Sequence, residues 1–500
     1  MVLGSIRSVW VCMLYALVLD TYAQQGLNNL WLGGFDSDGP PPFGGLDLDL
    51  QSGSMAITTV SRAIGYRRTS ANITDANGEL LFSTNGAFIA NATGDTLLNG
   101  TGLNPSTYTS NYPEGLYIPQ ACLILPKPGS ATIYYLVHST VDLQVPNYFA
   151  TQLYLTVVDM SMEGGLGAVV LKNEILLSDS LVGGKLTAVR HANGRDWWVL
   201  CHKKATNIFF RLLVTPGGIS TPQPQAIGVV RNYSGGQVCF SPQGDKFAYY
   251  WGMAGEDLEI FDFDRCTGLL SDPVHILIND ANNHGGVAFS PSGRYLYVSS
   301  IEDVYQYDTE APDIATSMVH IAEWDGFYSP NPPLATLFDI AQLAPDGKIY
   351  IGTGNSTDVL HVIHDPDEAG ATCNMEQHGI SLPRYFENSL PNHPNYHLGP
   401  VDGSVCDSLG MGVAELQAPL AAATVSPNPS AGSVNLSYGA QREAGEVQVL
   451  DAQGRVVLRE RLPAWSTVHA VELVGEPAGM YHCRLQWGGR ATSVRVIVQP

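Results

Sequence analysis

Positive charge is scarce in this 500-residue sequence: 25 Lys and Arg stand against 47 Asp and Glu, a formal net charge of −22. Nucleic-acid binders neutralise phosphates with Lys and Arg, so nucleic acid is excluded as a partner. Long hydrophobic runs are also missing. The best candidate, Val9 to Val18, has ten residues, half of the roughly 20 that a membrane-spanning helix needs, so no transmembrane anchor is expected. No stretch carries the capped, helical-period apolar pattern of a long helix. No two cysteines have CxxC spacing, which removes zinc knuckles and redox pairs. Neither a Gly-x-Ser-x-Gly elbow nor a Gly-rich phosphate loop occurs. Catalytic residues, cofactor sites and metal sites are therefore all expected to be none.

The sequence is rich in turn formers, with 52 Gly and 31 Pro, as suits many short strands joined by tight loops. At the N-terminus, Arg7, the apolar run and the small residues Thr21 and Ala23 form a signal peptide over 1–23, cut before Gln24. Export permits disulfides. Removing Cys12 leaves seven cysteines, so at least one stays unpaired. Cys373 and Cys406 are the expected pair, because they flank a stretch with little strand alternation to hold it. Closing that loop is worth ~3–4 kcal/mol in the chain-entropy model.

A repeat of about fifty residues organises the middle of the chain. Val238–Tyr250, Val287–Val298 and Ile340–Ile351 each read as apolar strand, Ser/Ala-Pro-x-Gly-type turn, then aromatic strand. Looser copies surround Thr74–Gly78, Leu125–Gly129 and His191–Gly194. The turn glycines Gly78, Gly129, Gly194, Gly244, Gly293 and Gly347 follow one another at 51, 65, 50, 49 and 54 residues. Strands with period-two alternation follow, as in Leu258–Asp264, where Phe261 and Phe263 share one face and Asp262 and Asp264 the other. Four short strands per repeat predict an all-β propeller over 24–407, with seven blades favoured and six the alternative. Early strands near Leu30 and Leu46–Leu50, with late ones near Ile380, are expected to close the ring by strand pairing.

The Phe-Ser-Pro-x-Gly-x-Tyr-Leu-Tyr-Val stretch resembles WD-type and lactonase-type propeller repeats, which implies architecture rather than activity. Cys373–Pro383, Ser389–Pro400 and Gly403–Asp407 resemble the end of the propeller in exported proteins of Gram-negative bacteria that use type IX secretion.

Around 408–423 the pattern lapses into small residues, a linker. A second β-rich unit, 424–500, follows with strands of five to seven residues and Gly turns, read as a small β-sandwich. It carries seven Arg, no Lys and six Asp or Glu, leaving the acidity on the middle of the chain. Its Pro427-Asn428-Pro429, the Gly454-Arg455 turn, and Pro477, Gly479 and Tyr481 are similar to the motifs of the type IX C-terminal sorting domain. The resemblance implies a translocon as partner and a secreted or outer-surface location. The Gln499-Pro500 end departs from the Lys-rich last strand of many members.

Four further groupings resolve to structure. His361 and His364 fall on opposite sides of a strand and cannot share a metal ion. Asp36 and Asp38 have calcium-like spacing without the remaining oxygen ligands. Asp47 with Asp49, and Asp262 with Asp264, are same-face neighbours, a solvated strand face. Asn-x-Ser/Thr triplets at Asn72, Asn91, Asn99, Asn232, Asn355 and Asn435 are incidental in a bacterial export substrate. Two function classes remain: a binding or adhesion module whose propeller face takes a glycan or peptide, and, as the alternative, a lactonase-type propeller hydrolase with its polar residues in the channel.

Overall fold

The computed structural model describes residues 26–51, 53–142, 148–252, 255–280, 284–330, 333–407 and 422–499. The expected signal peptide and most of the expected linker fall outside these residues.

Seven blades of antiparallel strands follow one another from Leu30 to Glu387. The second and third are joined into one eight-stranded sheet by a parallel contact of Ala168 with Leu98, and a separate hairpin of Tyr328–Pro330 with Pro333–Ala335 precedes the seventh. Alternation along each strand builds the contacts between them. In Lys246–Trp251, Phe247 and Tyr249 pack with Val189, Trp198 and Leu200 of the preceding sheet. Ala248 and Tyr250 pack with Val287, Phe289 and Val298 of the following one. One strand thus feeds two cores because successive side chains point to opposite faces. The scheme continues where Tyr297 and Val304 meet Ile349 and Ile363. It closes where Tyr350, Leu360 and Phe386 of the seventh sheet meet Trp31, Leu46 and Leu48 of the first. The Trp31 and Tyr350 rings stand edge to face at 5.7 Å. The molecule is a seven-bladed propeller with its cores between the blades.

All six repeat glycines occupy the turn between the first and second strands of a blade, with φ from +71° to +83°. At Gly244 the conformation and the space both require glycine. Its φ is +74°, and a Cβ would lie 2.6 Å from Val189 and 2.8 Å from Leu398.

Ring closure differs from the sequence expectation. Ile380 pairs with Leu360 inside the seventh sheet, in its outermost strand, and the first sheet keeps three strands. The chain after Glu387 runs down the central channel instead, over Asn388–Leu398, without joining a ladder. Polar side chains hold it there. Asn392 Nδ2 donates to Cys122 O at 3.0 Å and Leu186 O at 2.9 Å, bridging two inner strands. Tyr396 Oη donates to Ile124 O at 2.9 Å, and Asn395 Nδ2 to Pro242 O at 2.8 Å. Such side-chain bonds satisfy buried carbonyls that a regular inner strand would otherwise meet with its backbone.

The expected disulfide is also corrected. Cys406 bonds to Cys266, in a turn of the fifth sheet 140 residues away, with 5.6 Å between Cα atoms. Cys373 is fully buried with a free thiol, packed with Tyr297 and Ile363 under the seventh sheet. The channel segment leaves the ring beside the fifth sheet, where Arg265 Nη2 donates to Gly399 O at 2.5 Å, which carries Cys406 to Cys266.

Residues 424–499 form a two-layer sandwich of three and four strands around Val434, Leu436, Val447, Leu485 and Trp487.

Candidate functional site

The channel is the first place to look for chemistry. It is lined by inner strands such as Thr187–Arg190, Gln237–Phe240, Gly286–Phe289 and Ala341–Leu343, and it is largely filled. What remains is a cavity of about 100 Å³ between the channel segment and these strands. Ligand sites are typically of order 300–1,000 Å³, so this one has room for a cluster of waters. Its amides tie blades together. Gln237 Nε2 donates to Ala341 O at 2.6 Å, and its Oε1 accepts the amides of Val287 and Ala341 at 2.9 and 3.0 Å. Gln120 does the same toward Val238. Burial holds His393 neutral, its pKa pushed down to about 4. These side chains hold the channel segment and the inner strands together.

The two faces of the ring differ. One carries the short glycine turns, and the sorting-type sandwich sits on it. Thr467 N donates to Pro345 O at 3.0 Å, and Arg461 lies 3.5 Å from both Asp367 and Glu368. Pro463 packs on Gly347, and Ala464 and Trp465 close the channel cavity on this side. Trp465 is held at φ +61° by its amide bond to Gln441 O at 2.7 Å.

The motif residues lie at the other pole of the sandwich. The Asp451–Arg455 turn, with Gly454 at φ +78°, joins the strands Gly445–Leu450 and Val456–Leu462 at the end away from Pro463. Tyr481 Oη donates to Pro477 O at 2.7 Å beside Gly479. Asn428, between Pro427 and Pro429, is fixed to the last strand by bonds to Arg495 O and Ile497 N, both at 2.9 Å. Three turns distant in sequence therefore meet at one exposed end, about 20 Å (one strand of seven residues) from the docking loop.

The opposite face of the ring carries the longer connections and a train of aromatic rings. Tyr112 lies 5.2 Å from Tyr117 and 4.7 Å from Tyr108, and Tyr108 lies 6.4 Å from Tyr148. Tyr148 O then accepts from Ser234 Oγ at 2.7 Å, next to the stacked pair Tyr233 and Trp251. On the other flank the Arg67 guanidinium stands 4.3 Å over Phe35 and 5.6 Å from Tyr117. Beneath this face Lys185 is buried with no hydrogen-bond acceptor for Nζ, which sits 3.9 Å from the Tyr249 ring centroid. Burial and the nearby Arg231 hold its pKa well below the usual lysine range.

The other sequence candidates take structural places. His361 is buried against Leu337 O, while His364 faces outward to Glu376 at 3.0 Å. Asp36 pairs with Arg67 at 3.2 Å and Asp47 with Arg62 at 2.7 Å. Asp49 caps the amide of Gln51, Asp262 pairs with Lys246, and Asp264 accepts from Cys266 N and Thr267. Among the described residues no group of three His, Cys, Asp or Glu is arranged to hold a metal ion. Sequence reasoning missed Trp465, Tyr112 and Tyr148, which lie in connections that carry no motif.

Residues 424–499 match the family model described as the secretion system C-terminal sorting domain. No curated protein matches the chain. Among solved structures, a protein from Lactobacillus plantarum is 13% identical, covering 72% of this chain and 98% of its own, with a TM-score of 0.43. A candidate 6-phosphogluconolactonase from Bacteroides uniformis is likewise 13% identical over 72% and 98%, with a TM-score of 0.45. The extracellular domain of a one-component system from B. thetaiotaomicron is 10% identical over 96% and 57%, with a TM-score of 0.38. Likenesses at this level transfer no activity. The C-terminal unit is a type IX sorting domain, which assigns the protein to secretion or the outer surface.

Proposed function

We propose that this chain is an exported binding module: a propeller delivered by its sorting domain and presenting the long-loop face to an extracellular ligand. In this reading residues 1–23 direct export and are removed, 24–407 are the binding domain, and 408–423 link it to the address at 424–500. The type IX translocon reads the exposed pole that gathers Pro427, Gly454 and Gly479.

One observation carries the reading. The sorting domain occupies the turn face and the chain fills the channel, which leaves the aromatic long-loop face as the broad surface open to a partner. The same geometry weighs against a channel hydrolase, since a cavity of about 100 Å³ does not admit a sugar lactone and the chain.

Deleting 424–500 in a host with the type IX machinery should leave a folded propeller in the periplasm, while the full chain reaches the surface. Surface display of the truncated protein at wild-type levels would defeat the address assignment. Purified full-length protein should leave 6-phosphogluconolactone hydrolysis at its spontaneous rate, and protein-dependent turnover would restore the hydrolase reading.

A further inference from the structure

The long-loop face has one part whose chemistry is narrow enough to name a ligand class. It surrounds the short helix Thr107–Asn111, between the second and third blades. On one side of the helix stand Tyr112, 38% exposed, and Tyr148, 45% exposed, flanking the buried Tyr108. On the other side is an open groove of about 480 Å³, within the range of ligand sites. Phe88 supplies apolar surface, and Thr96, Thr101, Thr109 and Ser110 supply hydroxyls. The groove lining contains no charged side chain, in a chain with 72 of them.

We propose that this region is a binding site for a neutral saccharide, a proposal that rests on the long-loop face being the ligand surface. A pyranose offers apolar C–H faces edged by hydroxyls that both donate and accept. Rings held by neighbouring rings can stack on those faces at little entropic cost, because tyrosine has few torsions to immobilise. Uncharged hydroxyls match uncharged hydroxyls without desolvating an ion.

Other ligand classes fit worse. An anionic polymer needs free cations, and of the two guanidiniums near the tyrosines Arg67 is already engaged by Asp36, Glu114 and Glu387 at 3.1–3.8 Å while Arg68 donates to Gly354 O at 3.2 Å. An extended peptide adding to a sheet needs an open strand edge. The outer strand of the second blade, Thr96–Thr101, is met instead by Ala168 opposite Leu98 and by Lys172 Nζ donating to Asn99 O and Thr101 O at 3.2 and 2.9 Å.

The test is affinity electrophoresis and calorimetry of the full-length protein. The probes are soluble neutral polysaccharides (a β-glucan, a galactomannan and a xylan), polygalacturonate, and an unfolded peptide library. Binding to a neutral polysaccharide is expected, weakened tenfold or more by Tyr112→Ala or Tyr148→Ala with thermal unfolding unchanged. A Thr101→Ala/Thr109→Ala variant, which spares the rings, should weaken it as well. Peptide or polygalacturonate binding that the tyrosine variants abolish would overturn the saccharide assignment while leaving the face in place. Neutral-polysaccharide binding indifferent to all these substitutions would overturn the site, and no binding by any neutral probe would overturn the ligand class.

Discussion

The amide of Thr467, in the sorting domain, donates to the carbonyl of Pro345, in a propeller turn, at 3.0 Å. That bond sits in a contact that includes Pro463 on Gly347, Trp465 at the channel mouth and Arg461 beside Asp367. The sorting domain is seated on the propeller by the pole that carries no sorting motif.

A Trp465→Ala variant should loosen this seat, since the lost apolar contact is worth about 2 kcal/mol. Hydrogen exchange at Ala344–Gly347 should accelerate, and protease should cut within 408–423 sooner. Arg461→Glu should act in the same direction more weakly, because an exposed ion pair contributes at most ~1 kcal/mol. Unchanged exchange in both variants would mean that the two units are independent.

The Cys266–Cys406 bond joins positions 140 apart in the sequence. Non-reducing peptide mapping should recover that pair, with Cys373 alkylated only after unfolding. Cys406→Ser should destabilise the propeller by about 2–5 kcal/mol, the range for loss of a native disulfide. A mapped Cys373–Cys406 peptide would contradict the fold of the channel segment.

Stability should fall in mild acid. Burial pushes the pKa of His138, His202 and His361 down to about 3 and that of His393 to about 4. In the unfolded chain these rings titrate near 6.5. Below that pH the unfolded state binds protons that the folded state refuses, so the contribution is complete above pH 6.5 and is lost as pH falls toward about 4 for His393 and about 3 for the other three. Each ring can contribute at most ~1.4 kcal/mol per pH unit across that window. Urea midpoints at pH 7.5, 6 and 5 should drop progressively. A flat profile from 7.5 to 5 would rule out neutral burial of these histidines.

Lys185 is expected to cost stability. Its amine has aromatic faces but no hydrogen-bond acceptor. Lys185→Met keeps the packing and removes a buried polar group that has no acceptor, and should raise stability by about 1–3 kcal/mol at pH 7. A loss of stability in denaturant titration would show that the cation–π contact with Tyr249 outweighs desolvation.

The blades were legible in the sequence because each is made locally. A glycine turn and two alternating strands, as at Val238–Tyr250, specify their own geometry within thirteen residues. The sorting motifs were legible for the same reason. Closure was not. Asn388–Leu398 has no alternation, and its place depends on Asn392 and Tyr396 reaching carbonyls more than 200 residues earlier. The partner of Cys406 was hidden likewise, since only the ring brings Cys266 near it. Tyr112 and Tyr148 belong to separate blades, and only the face they share makes them a pair.

The channel segment also sets an order of events. Ser70 O accepts the amide of Asn392, and Asn72 O lies 2.9 Å from the His393 ring, so residues in the second blade wait for a stretch made more than 300 residues later. A polypeptide synthesised from its N-terminus cannot finish the second blade until residues 392 and 393 of its 500 have emerged.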